Sequence, residues 1–109
     1  MFGKANAESL VKHKKWDKLR NLAAKADVNT AMDIAVQCGK NPCDETYNIL
    51  VNMLEHQDKQ VVSAAIKALG ESGVATGATH IRRIMTKYQD DKAMQDTIHS
   101  ALRALKEDA

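Results

Sequence analysis

Residues 58–73, DKQVVSAAIKALGESG, decide how this chain folds. Asp58 can accept hydrogen bonds from the orphan amides at a helix start. Behind it Val61, Val62, Ala64, Ala65, Ile66, Ala68 and Leu69 are apolar over far more than one stripe, and a helix of that kind has to be covered from two sides. The segment therefore reads as a central helix. Gly70 and Gly73 are expected to close it, because glycine adopts the left-handed conformation of a helix C-terminus at no steric cost.

Working outward, each neighbouring segment also reads as a helix. Before the central one, Asn41 is the expected cap, Pro42 the first helical residue and Asp44 a first-turn acid, with Tyr47, Ile49, Leu50, Val51, Met53 and Leu54 facing inward. Further upstream Asp27 starts a helix in which Val28, Ala31, Met32, Ile34, Ala35, Val36 and Cys38 again cover a wide arc, and Gly39 is its expected end. Trp16, Leu19, Leu22 and Ala23 recur at helical spacing on a helix with one wet face. Residues 2–13 form a lead-in whose clear core candidates are Leu10 and Val11. Downstream, Thr76 is a candidate cap for a helix reaching Tyr88, with Ile81, Ile84 and Met85 inward. Asp90 or Asp91 then starts a last helix with a single stripe, Met94, Ile98, Ala101, Leu102 and Leu105, which suits an end cap.

Composition supports helices throughout. With 109 residues, 44% hydrophobic, but one Pro, five Gly and four aromatic residues, the chain fits one alanine-rich domain. No apolar stretch approaches the roughly 20 residues of a membrane span, and no signal-peptide block is legible, so a cytoplasmic protein is expected. The net charge of +2 is uneven: residues 1–25 hold seven basic residues against Glu8 and Asp17, giving +5 and leaving −3 elsewhere. Cys38 and Cys43 could form a disulfide or half a metal site with His13 or His56. The favoured reading is two small apolar residues flanking an interhelix turn, since no second spaced pair exists.

The chain also repeats itself. A shift of 31 lays Asp27 on Asp58 and Gly39 on Gly70; a shift of 36 lays VSAAIKAL at 62–69 on IHSALRAL at 98–105. The unit is an antiparallel helix pair that buries its face only by stacking on its neighbours. Residues 47–54, an Asp after a short turn, and VVSAAIKALGESG resemble a HEAT repeat, most closely the short HEAT-like or phycobilisome-lyase-type variety. The resemblance is strong over 43–73, fair over 76–105 and weak over 16–40. It implies an all-α fold, a short α-solenoid of about three helix pairs: a lead-in at 1–14 and repeats at 15–40, 41–73 and 74–109. It further implies binding on a concave face lined by the second helices. An accessory subunit of a bilin lyase is an alternative that rests on the repeat type alone.

The residues point away from catalysis. His13, His56, His80 and His99 share no metal-ligand spacing, and no phosphate loop, nucleophile elbow or Cys/His dyad is legible, so no enzyme activity, cofactor or metal is expected. The leading expectation is a monomeric protein-interaction adaptor. Its concave face would carry Lys59, Ser63 and Lys67 from the central helix and His99 and Arg103 from the last, a positive ridge suited to an acidic peptide or another acidic protein segment. Phe2 and Trp16 are the aromatic residues that could instead pair two chains. An alternative basic surface, Lys12, Lys14, Lys15 and Lys18 with Arg82, Arg83 and Lys87, would suit a nucleic-acid-associated helper. Nucleic acid is disfavoured by the modest net charge and the scarcity of aromatic residues for stacking.

Overall fold

Three aspartates set the architecture. In the computed structural model, which describes residues 4–106 and the side chains of residues 6–106, Asp27, Asp58 and Asp91 each accept a backbone N–H of the helix they open: from Thr30 at 2.8 Å, Gln60 at 2.8 Å and Met94 at 3.0 Å. The helices are α1 (Lys4–Lys12), α2 (Trp16–Lys25), α3 (Val28–Lys40), α4 (Asp44–Met53), α5 (Lys59–Ser72), α6 (Gly77–Met85), extended by a 3-10 turn at Thr86–Tyr88, and α7 (Lys92–Ala104). The described residues contain no strand, so the chain is all-α. Phe2 lies outside them.

The three helices opened by aspartate stand side by side. α3 packs along α5 and α5 along α7, while α1 lies against α3. On their other side α2 packs on α3 and α4, α4 on α3 and α5, and α6 on α5 and α7. α5, lying between α3 and α7, is covered from both sides, as is α3 between α1 and α5: on α5 Val61, Val62, Ala65, Ile66, Ala68 and Leu69 are all buried. α1 contributes Ala7 and Val11 to the core, with Leu10 only half-buried. Its C-terminus is closed by Lys14 at φ 56°, with Lys14 N–H bonded to the Val11 carbonyl at 3.0 Å and Lys15 N–H to that of Leu10 at 2.9 Å. This is the bonding of a Schellman motif with lysine where glycine is usual.

Two glycines do something other than end helices. Gly39 and Gly70 lie inside α3 and α5 and are buried against the next helix. A Cβ on Gly39 would stand 2.9 Å from that of Ala68, and one on Gly70 would stand 3.0 Å from Ala101 Cα. These glycines let consecutive helices approach to backbone contact. The left-handed C-terminal residue of α5 is Gly73 alone, at φ 75°.

The start of α4 also differs from expectation. Asn41 caps the end of α3, donating from Nδ2 to the Gln37 carbonyl at 2.8 Å, and Cys43 is the N-cap of α4. The buried Thr46 hydroxyl accepts from Cys43 N–H at 2.9 Å and donates to the Asn41 carbonyl at 2.9 Å, so the turn is stapled from inside. Thr76 caps nothing. α6 begins through successive three-residue turns from Val74 onward, and the Thr76 hydroxyl meets Tyr47 Oη at 3.0 Å instead.

The internal correspondence shifts as well. Asp27 to Asp58 spans 31 residues, in line with the sequence alignment, but Asp58 to Asp91 spans 33. The left-handed residues Gly73 and Lys106 (φ 60°) are again 33 apart, as are Ala68 and Ala101, the residues that meet Gly39 and Gly70. The shift of 36 was one helical turn too long. It arose because a stripe with period near 3.6 matches itself almost as well after sliding by a turn. In the corrected register Leu69 pairs with Leu102, and both are buried, at 0% and 2% exposure.

Candidate functional site

The exposed face of α3, α5 and α7 forms a trough of about 590 Å³. Its α3 wall is Met32 and Val36, one turn apart, and its α5 floor is dominated by Ser63, Ala64 and Ala68. Val36 is 42% exposed, the one large apolar side chain among the described residues left open to that degree. The sequence had assigned it inward, because a wide apolar arc does not reveal where its edge falls. A shallower depression of about 430 Å³ continues the trough between α5 and α7, and shares Lys67, Glu71 and Thr97 with it.

Of the expected ridge, the structure brings together Lys59, Ser63 and Lys67, and leaves out His99 and Arg103. The α7 residues on this face include Ala93, Asp96, Thr97, Ser100 and Ala104, and the buried Met94 and Ala101 also border it. In the corrected register His99 and Arg103 correspond to Ile66 and Gly70, on the flank of α5 that faces α7. They therefore occupy the outer flank of α7. The signal that would have located the α7 residues was in the sequence: the Asp58–Asp91 spacing, rather than the better-looking match of apolar letters.

The charge of the face changes with its membership. Lys59 and Lys67 stand with Glu71, Asp91 and Asp96, two cations against three carboxylates, so the trough is not the positive ridge expected. Lys59 Nζ is engaged by Asp91 Oδ2 at 2.8 Å, tying the starts of α5 and α7 together. The Lys59 hydrogen bond, followed by the Met94 amide, holds the Asp91 carboxyl below its ordinary range, and the same pairing raises Lys59. Both groups are solvated, so this link fixes geometry more than it stabilises.

The alternative basic residues fall on separate elements. Lys12, Lys14, Lys15 and Lys18 are exposed around the α1–α2 turn, whereas Arg82, Arg83 and Lys87 are exposed on α6 and its 3-10 extension. Arg83 Nη1 is bonded to Glu55 Oε2 at 2.5 Å, which lowers the Glu55 carboxyl, and the Lys87 ammonium lies 5.5 Å from the Tyr88 ring centre. A further hollow of about 510 Å³ between α2 and α4 is bordered by Arg20, Asn52 and His56. Arg20 is ion-paired with Asp17, and His56 Nδ1 accepts the Asp58 N–H at 3.0 Å.

Chemistry-bearing groups are dispersed. Both cysteines are free: Cys43 is exposed, and burial, with a smaller contribution from Cys43, pushes the Cys38 thiol up to about 12. His80 packs edge-on against Tyr47, and no three His, Cys, Asp or Glu side chains among the described residues are grouped to hold a metal ion. No helix among the described residues is long and apolar enough to cross a membrane. Comparison with protein-family models, with curated proteins and with solved structures found no match to this chain.

Proposed function

We propose that this chain is a short α-solenoid of HEAT-like helix pairs that acts as a protein-interaction module, docking a segment of a partner protein in the trough across α3, α5 and α7. The observation that carries this reading is Val36, held open to solvent beside Met32 at the mouth of an apolar-floored depression. An apolar wall around a small-residue floor gains free energy when a complementary surface excludes water from it, at about 25 cal/mol per Å² buried. Among the described residues the titratable groups supply no nucleophile–base geometry, which favours binding over chemistry. The molecule would be a monomer.

Val36→Glu tests the proposal, because Val36 is exposed and lies outside the buried core. Immobilised wild-type chain is expected to retain a defined protein from extract of the native source, and the variant to lose it at unchanged helical circular dichroism. Equal capture by a folded Val36→Glu chain would place binding elsewhere.

A further inference from the structure

The corrected register shows how the face changes from one wall to the other. Residues equivalent under shifts of 31 and then 33 form rows across α3, α5 and α7: Met32, Ser63, Asp96 in one, and Val36, Lys67, Ser100 in the next. Along these two rows the trough is thus apolar on α3, mixed on α5 and polar with a carboxylate on α7, where Ala93 and Met94 add apolar surface beside them. Where it continues between α5 and α7, Glu71 and Asp96 are exposed and line it with Lys67 as the one amine, and Lys67 makes no ion pair with either. With Lys59 already held by Asp91, the unmatched charge of that end is negative.

We propose that the occupant is an amphipathic α-helix of a partner protein. Its apolar stripe covers Met32, Val36 and Ala64, and the adjoining edge carries lysine or arginine toward Glu71 and Asp96. This rests on the interaction-module reading and makes the partner basic where the sequence alone suggested an acidic one. Three features favour it. The trough follows α5 from Lys59 to Glu71, which at about 1.5 Å per residue is roughly 18 Å, or about three helical turns of a partner. Its floor of alanines and Ser63 lets a helix approach closely. An extended peptide would press unpaired backbone N–H and C=O groups on an apolar wall with no strand edge to receive them, whereas a helix satisfies its own.

Selection of helix-forming peptides of about five turns from a randomised displayed library, on the whole chain and with counter-selection on Val36→Glu, tests this directly. The enriched peptides are expected to carry apolar residues at i, i+3 or i+4 and i+7, and more Lys and Arg than Asp and Glu. Synthesised and labelled, they should bind at least about tenfold more weakly to Val36→Glu and several-fold more weakly to the Glu71→Lys/Asp96→Lys chain, measured by fluorescence anisotropy. Enriched peptides that lose binding to Val36→Glu but are acidic, or bind the double variant better, overturn the basic-edge assignment and leave the trough as the site. Extended or proline-rich winners overturn the helix. Peptides indifferent to Val36→Glu, or no enrichment at all, overturn the trough itself.

Discussion

At the residue scale, the glycines carry the main lesson. In the sequence Gly39, Gly70 and Gly73 each follow an apolar run, the position of a C-cap, and all three invite that reading. Only Gly73 has the positive φ that requires it; the other two are demanded by a neighbouring helix. Alanine at Gly39 would gain about 1 kcal/mol of helix propensity but drive its Cβ into the Ala68 backbone, and overpacking of that kind costs about 1–3 kcal/mol. Gly39→Ala is therefore expected to lower stability on balance in urea unfolding. Gly73→Ala, with nothing within 4 Å of the added carbon, should show only the left-handed backbone cost of about 1–2 kcal/mol. A stabilised Gly39→Ala chain would mean that α3 and α5 stand further apart than described.

At the scale of elements, α3, α5 and α7 are held at their starts by carboxylates, and this was largely legible. Asp27 and Asp58 were recognised as helix starts, and Asp91 as one of two candidates, because an acid ahead of an apolar run has few other local uses. The start of α4 was misread since its cap works through Thr46, a buried residue whose partners lie in the preceding turn. Asp27 is held below its usual range by Thr30, Asp91 by Lys59 and Met94, and Glu55 by Arg83. Carboxyls depressed in the folded state contribute stability that is complete above their unfolded pKa and is lost as pH falls through the folded one. The melting temperature is thus expected to be level above about pH 5 and to fall below about pH 4. Asp91→Asn, which keeps a capping oxygen but not the charge, should flatten part of that fall. An unchanged acid limb in Asp91→Asn would show that the Lys59 pairing does not bias folding.

For the whole molecule, the decisive relation is which flank of each helix in the row α3, α5 and α7 meets the next. The α5 flank that meets α7 presents Val62, Ile66 and Gly70, and the equivalent flank of α7 presents Gln95, His99 and Arg103. Gln95 is spent on the Met85 and Tyr88 carbonyls, at 3.2 and 2.8 Å, closing the end of the 3-10 turn onto α7. Polar side chains at these positions would disfavour the stacking of another helix on this flank. Restoring the interior pattern with His99→Ile and Arg103→Gly is expected to expose a stacking flank. Sedimentation should then show a mass rising with concentration toward twice the 12.0 kDa of the chain, while the native sequence remains at one. A doubly substituted chain that stayed at 12.0 kDa would show that His99 and Arg103 are not what keeps this flank of α7 from stacking.

The sequence by itself determined that the chain is all-α, where most helices start, that α5 is central and that Leu19, Ile34, Leu50, Ile66, Leu69 and Ile98 are buried. Those properties follow from local capping and from apolar periodicity, which a single segment carries within itself. Tertiary structure alone decided that α5 and α7 correspond at 33 residues rather than 36, that Gly39 and Gly70 serve close packing, that Val36 is open, and that Asp96 rather than Arg103 joins the trough. A helical stripe is nearly unchanged when slid by one turn, so its letters fix neither register nor flank. Contacts between helices remove that degeneracy, and with it the sign of charge that the trough presents.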